Sequence, residues 1–238
     1  DKLPYRVSLE LNEKDPRVLY AGGKKEIWKT IDKGATWKRL DQEINFPFLQ
    51  WDAIAVVPGE ASEPPGRHDH LYVATEAGIL FSHDGGDTWA RSGPADLVFT
   101  AIAAHRPAGA RDDVVYAGTF LDGLYASRDS GNTWKKLPAD FQDTVSTKIF
   151  LHPRNPEVVF VCNATEAHLG RIRATPGLYL TVDGGETWRE LTPLNLPYST
   201  LYSVAVHPER PNVVYVASPG GILRLALPEG FYDVITGP

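Results

Sequence analysis

Thr30-Ile31-Asp32-Lys33-Gly34-Ala35-Thr36-Trp37 is the stretch that decides the fold, because its pattern returns three more times. The copies are Ser82 to Trp89 (SHDGGDTW), Ser127 to Trp134 (SRDSGNTW) and Thr181 to Trp188 (TVDGGETW). They share Ser/Thr-x-Asp-x-Gly-x-Thr-Trp, and the tryptophans are spaced 52, 45 and 54 residues apart. Self-similarity at this period marks a repeat architecture.

The flanks repeat with the box. A short apolar strand precedes each copy: Glu26-Ile27-Trp28, Gly78-Ile79-Leu80-Phe81, Gly123-Leu124-Tyr125 and Gly177-Leu178-Tyr179. A β-branched strand comes before that, starting at Val18, Leu71, Val114 and Val158. Earlier still lies a strand rich in small residues, often closing on His-Pro, as in the runs from Lys148 and Ser203. Period-two alternation between turn residues makes each unit four short antiparallel strands. A fifth unit follows from Ser203, Val213 and Gly221, with Phe231-Tyr232-Asp233-Val234-Ile235 as its expected fourth strand. The prediction is an all-β, five-bladed β-propeller, one domain over 1–238 with units at 5–41, 47–92, 97–138, 145–192 and 200–236. At about 48 residues, each unit has the size of a four-stranded blade.

Elementary turn chemistry accounts for the box. A sharp turn between third and fourth strands needs positive φ, which Gly34, Gly86, Gly131 and Gly185 supply. Asp32, Asp84, Asp129 and Asp183 are expected to accept hydrogen bonds from amides of the same turn. Thr36, Thr88, Thr133 and Thr187 are expected to start the outer strand, with Trp37, Trp89, Trp134 and Trp188 folding back as apolar anchors. An acid that recurs in every blade serves the blade, so these aspartates are structural.

Composition narrows the function classes. The chain is 42% apolar and 23% charged, with 21 Gly and 19 Pro in 238 residues, which suits a turn-rich globular protein. Its net charge of −6 argues against nucleic acid or an anionic membrane as main partner. No apolar run approaches the ~20 residues of a helical membrane span. The single cysteine, Cys162, excludes an internal disulfide and sits where a buried, inert thiol is expected. Complete absence of methionine predicts a processed or trimmed chain and leaves open whether the gene encodes further blades. No metal and no cofactor is expected. Arg67-His68-Asp69-His70, in a loop rich in Pro, Gly and Glu, reads as a solvated loop rather than a metal site, because no third ligand is close in sequence. His105, His152 and His207 each end a first strand and read as turn or packing residues. Asn163-Ala164-Thr165 matches a glycosylation sequon by pattern. No P-loop, dinucleotide glycine motif, His-Glu-x-x-His or Gly-x-Ser-x-Gly occurs.

At the four boxes the chain resembles the Asp-box, or BNR-repeat, β-propellers over essentially its whole length. Relatives with this motif include sialidases, xyloglucan-degrading glycoside hydrolases, sortilin-type sorting receptors and photosystem II assembly factors. The resemblance implies a fold and not a function. It also implies that the boxes lie on the face opposite the ligand-binding one. Sialidases carry an early Arg-Ile-Pro, whereas Arg171-Ile172-Arg173 sits late and in another unit. A typical sialidase is therefore rejected. Most of these relatives act outside the cytosol, which leans the expected location towards periplasm or extracellular space.

Departures from the repeat carry the information about a site. Second-to-third-strand loops and fourth-to-first connections should converge on the channel face, where a propeller ligand would sit. The second-to-third loop of unit four is the one clear insertion there, running from Asn163 to Pro176 with Glu166, His168, Arg171 and Arg173. Candidate ligand-binding residues are these four with Trp51, Asp52, Glu76, Phe120, Asp122 and Tyr198. Aromatics and arginine commonly anchor interfaces, so a non-catalytic binding or assembly scaffold with a protein partner is the leading reading. The alternative is a glycan-binding or glycoside-hydrolase-like propeller. Glu76, Asp122 and Glu166 would supply its two carboxyls, needed roughly 5–10 Å apart. Enzyme status leans to no, because short loops build only a shallow cleft.

Overall fold

The computed structural model describes residues 8–23, 25–40, 49–60, 64–139, 144–152, 155–164, 177–191 and 200–228, with backbone alone at 49–52. The described residues hold nineteen strands and no helix.

Five sheets follow the five predicted units. The first contains β1 (Ser8–Leu11), β2 (Leu19–Gly22), β3 (Ile27–Thr30) and β4 (Lys38–Arg39) in that order. The second contains β5 (Leu49–Val57), β6 (His70–Thr75), β7 (Gly78–Ser82) and β8 (Ala90–Ser92). β9 (Phe99–His105), β10 (Val114–Thr119), β11 (Leu124–Ser127) and β12 (Lys135–Lys136) make the third. β13 (Val145–His152), β14 (Asn155–Ala164), β15 (Leu178–Thr181) and β16 (Arg189–Glu190) make the fourth. β17 (Ser203–Val206), β18 (Val213–Ser218) and β19 (Gly221–Ala226) make the fifth. Pairing inside each sheet is antiparallel and sequential; a single parallel bridge, Asp52 to Ala101, joins the second sheet to the third. The expected fourth strand of the last unit, at 231–235, lies outside the described residues.

Second strands read as continuous β-branched runs because most of their positions are buried. β10 is buried at all six positions. The chain divides into two compact units, Asp1–Thr119 with Tyr125–Lys135, and Phe120–Leu124 with Lys136–Pro238. In the first unit, Val18, Tyr20 and Ile27 pack with Ile54, Leu71 and Val73 of the second sheet. Tyr72, Ala74 and Ile79 pack in turn with Phe99, Val115 and Ala117 of the third. In the second unit, Phe160 and Leu180 pack with Val204, Val214 and Val216. Cys162 is fully buried in that core. Sheet-on-sheet burial is thus the stabilising term within each unit.

Each blade has two chemically distinct ends. At one end, second-to-third turns meet fourth-to-first connections: Gly78 N donates to Leu97 O at 3.1 Å, Leu121 N to Thr144 O at 3.1 Å, and Leu201 N to Asn163 O at 3.3 Å. At the other, the boxes meet the first-to-second connections. Lys33, Gly85, Ser130 and Gly184 donate their amides to the carbonyls of Arg17, Asp69, Asp113 and Glu157 at 2.9–3.1 Å.

The box turn is the same in four copies. The residue before the glycine and the glycine itself both have positive φ, as at Lys33 (59°) and Gly34 (89°) or Gly184 (69°) and Gly185 (99°). Each aspartate is saturated by its own turn. Asp183 Oδ1 accepts from Thr187 N (2.9 Å) and Thr181 Oγ1 (2.7 Å), and Oδ2 accepts from Thr187 Oγ1 (2.5 Å). At Asp32 the same donors, Thr36 first, hold the carboxyl down at about 2. The box tryptophans are only partly buried, and each indole N–H donates to the box glycine carbonyl at 3.1–3.2 Å. One detail differs from expectation. The box threonines do not begin the outer strands, which start one residue after the tryptophan; the threonines are still bound to the aspartate inside the turn.

The first box residue has a role that the motif did not disclose. Thr30, Ser82, Ser127 and Thr181 are buried, and each hydroxyl donates to the aspartate while accepting from the glycine amide at 2.8–2.9 Å. Thr181→Val keeps the volume and strands both Gly185 N–H and one lone pair of Asp183. Loss of about 1–3 kcal/mol of unfolding free energy is expected by urea titration. A variant within 0.3 kcal/mol of wild type would mean that water replaces the hydroxyl.

Candidate functional site

At the end where second-to-third turns meet fourth-to-first connections, the predicted residues separate. Glu76 is exposed in a tight turn whose Thr75 hydroxyl donates to Gly78 O at 2.7 Å and accepts from Ala77 N at 3.1 Å. Phe120 is 37% exposed and bridges to Val145, so an aromatic face stands open beside the connection into the fourth sheet. Asp122 follows in the same turn, with Leu121 and Gly123 at positive φ. Its carboxylate takes Lys136 Nζ at 2.9 Å. The turn therefore brings Phe120 and Asp122 together, while Glu76 belongs to the other compact unit. Trp51 and Asp52 fall in β5 by backbone alone. Glu166, His168, Arg171, Arg173 and Tyr198 lie outside the described residues.

The box end of the first unit holds a charged network that sequence reasoning missed. Asp69 is 1% exposed and accepts from Asn12 Nδ2 (2.9 and 2.8 Å), Tyr20 OH (2.8 Å) and Gly59 N (3.1 Å). Asp113 occupies the equivalent place one blade later. It is fully buried and accepts from His70 Nδ1 (2.6 Å), Tyr72 OH (2.6 Å) and Arg106 Nε (2.7 Å). Each acid precedes a second strand and reaches back to the second-strand tyrosine of the preceding blade. The pair thus latches sheet one to sheet two, and sheet two to sheet three. Tyr20, Tyr72, Tyr116 and Tyr215 recur at one register position, and Asp69, Asp113 and Glu157 at another. That double recurrence was the available signal.

This overturns the solvated-loop expectation for 67–70. Arg67 and His68 are exposed, but Asp69 is a core residue and the His70 ring is bound to Asp113. Among the described residues, no cluster of three or more His, Cys, Asp or Glu is arranged to hold a metal. His152 is buried at the end of β13, and His105 ends β9. Asn163 is fully buried, so the sequon offers no accessible acceptor.

Electrostatics identify Asp113 as a fixed anion. Burial alone would raise its carboxyl, but hydrogen bonds from His70, Tyr72 and Arg106 outweigh it and hold the pKa below the ordinary value. Tyr72 is pushed up by burial and then by the adjacent Asp113, so its phenol remains a donor. His83 stacks on His70 with centroids 4.1 Å apart, and burial followed by the neighbouring ring lowers its pKa. With three donors already bound, Asp113 is a structural counter-charge and not a proton acceptor for substrate.

Sequential antiparallel sheets, with an Asp-box turn closing each of the first four, define the class: this is an Asp-box β-propeller with five blades. The Sortilin-Vps10 family model (sortilin, neurotensin receptor 3) matches residues 77–198, half of the chain, and the chain belongs to that family. Solved structures share the fold. The GH74 xyloglucanase of Xanthomonas campestris superposes with a TM-score of 0.65 at 21% identity, over 92% of this chain and 36% of the xyloglucanase. YCF48 bound to D1 peptide gives 0.58 at 14%, over 89% and 61%. The Dos1 propeller gives 0.59 at 13%, over 88% and 52%. The chain thus spans less than two thirds of each. No curated protein sequence matches it. Hydrolases stand beside a peptide-bound propeller among these structures, and no described helix is long and apolar enough to cross a membrane.

Proposed function

We propose that this chain is a non-catalytic binding scaffold that takes a protein segment at the channel end of its blades, residues 1–238 acting as one domain. The observation that carries the reading is membership of the Sortilin-Vps10 family over 77–198. The peptide bound to YCF48, a propeller of the same fold, supports it. At the described residues of that end, Phe120 offers an open aromatic face and Asp122 is already neutralised by Lys136, a better start for an interface than for acid–base chemistry. Trp51, Arg171 and Arg173 would add the anchors, and an extracytosolic compartment suits the reading.

The test is a peptide-library screen with the full chain, followed by titration of a selected peptide. Trp51→Ala combined with Arg171→Ala should weaken that peptide at least about tenfold. Undiminished binding would refute the assignment of this face. A glycan reading is favoured by the xyloglucanase likeness alone. Release of reducing ends from xyloglucan, abolished by Glu76→Gln, Asp122→Asn or Glu166→Gln, would establish it in place of the scaffold.

A further inference from the structure

Two histidines meet face to face at the box end of the first unit. His70 begins β6, and His83 follows β7 as the second residue of the box Ser82 to Trp89. Their rings stack with centroids 4.1 Å apart and planes 22° from parallel. His83 also lies against the Phe81 ring at 4.8 Å and edge-on to Tyr72 at 6.0 Å. Its Nε2 is 3.4 Å from the Tyr72 hydroxyl, the group that donates to the buried Asp113. His83 is itself half-buried, so its imidazole has the latch on one side and water on the other.

The groups facing this ring come from several elements: His70 and Tyr72 on β6, Arg106 after β9, Asp113 before β10 and Ser130 in the third box. Against a proton on His83 stand burial first, then the His70 ring, and least the Arg106 guanidinium. In its favour stand the Asp113 carboxylate and a hydrogen bond to the Ser130 backbone. Asp113 is already shared among His70 Nδ1, Tyr72 OH and Arg106 Nε at 2.6–2.7 Å. Asp84, the next residue in the chain, is held inside its own box by Ser82 and Thr88. Asp112 is exposed and meets the Ser130 hydroxyl at 3.4 Å. The balance keeps the His83 pKa below its ordinary value, so the stacked ring is neutral at pH 7.

We propose that His83 is an acid-released cover over the latch between the second and third sheets. A proton on this ring adds a cation where one carboxylate already answers Arg106 and orients His70. With water on its open side, the charged ring leaves the stack and is hydrated there, uncovering the Tyr72–Asp113 bond. The sign follows from the lowered value. The unfolded chain takes up this proton first, so the stability that His83 contributes is complete above about pH 6.5 and declines as pH falls towards the folded value. Burial, the first cause, persists without Asp113, so this loss adds to the one that Asp113 carries and occurs at higher pH. The cover does not rest on the scaffold reading.

The test is an NMR titration of the histidine rings in the full chain from about pH 8 to 5, beside urea unfolding at both ends of the window. His83 should titrate below about 6.5, and the His70 ring signals should move with the same midpoint as the stack parts. His83→Phe keeps a ring against Phe81 and His70 and removes the proton site. In that variant the His70 response at the His83 midpoint should vanish. The folding equilibrium constant of wild type should fall several-fold more on acidification than that of the variant. Should His83→Phe fail to fold, His83→Gln gives the same comparison without the ring. A His83 midpoint at or above about 6.5 overturns the proposal, as does wild-type pH dependence retained in the variants. A lowered His83 midpoint without any response from His70 overturns the release, because the ring then takes its proton in place.

Discussion

Asp113→Ala should cost about 3 kcal/mol of unfolding free energy, among the largest effects available from one side chain outside the apolar core. The substitution leaves His70, Tyr72 and Arg106 without the acceptor on which all three converge. Breaking a buried pair costs about 3–5 kcal/mol because the abandoned charge remains desolvated. Here the Arg106 and His70 side chains are 30% and 18% exposed, so each can turn towards water, and the lower end applies. Asp113→Asn should recover little, because its amide would face donors with a donor of its own. Urea denaturation of both variants checks this; a loss under 1 kcal/mol would show the latch to be decoration.

The same residue sets an acid limit. Its folded carboxyl lies below its ordinary value, so its contribution is complete above the unfolded value of about 4 and disappears as pH falls through the lower, folded one. The stability gap between wild type and Asp113→Ala should therefore hold from about pH 7 to 5 and narrow below about pH 4. A gap that widened on acidification would contradict the assignment.

Much of the fold was legible because propeller blades are written in local chemistry. Asp32, Gly34 and Trp37 act on one turn, so their spacing alone carried the message, and four copies located four blades. The fifth was legible from Ser203, Val213 and Gly221, whose strands pair as expected although the box is absent. The latches were missed because they are non-local. Asp69 binds Asn12 and Tyr20, 57 and 49 residues away, and its own neighbourhood of Pro, Gly, Arg and His reads as surface. Only comparison between units shows that an acid before one second strand answers a tyrosine in the previous one. At the channel end, sequence assembled ten candidates from inferred loop positions, and the structure joins Phe120 and Asp122 in one turn.

Gly59→Ala is expected to produce the second large loss, about 3 kcal/mol, by overpacking. A Cβ at this position would overlap the backbone carbonyl of His68 and lie 2.7 Å from its Cβ. Backbone cannot swing aside as a side-chain tip can, so the loop before β6 must move as a whole. That loop carries Asp69, to which Gly59 N itself donates at 3.1 Å. Displacing it weakens the acceptors for Asn12 and Tyr20 and loosens the first sheet from the second. Conformational strain is not the cause, since Gly59 does not have positive φ. Gly109→Ala supplies the contrast: its φ is +76°, but nothing lies within 4 Å of an added Cβ. It should lose only the ~1–2 kcal/mol of a left-handed alanine. If the two alanine variants unfold at the same urea concentration, close approach at Gly59 is not what holds this loop. If Gly59→Ala alone also deprotects the Tyr20 amide to hydrogen exchange, the steric route through Asp69 is the operative one.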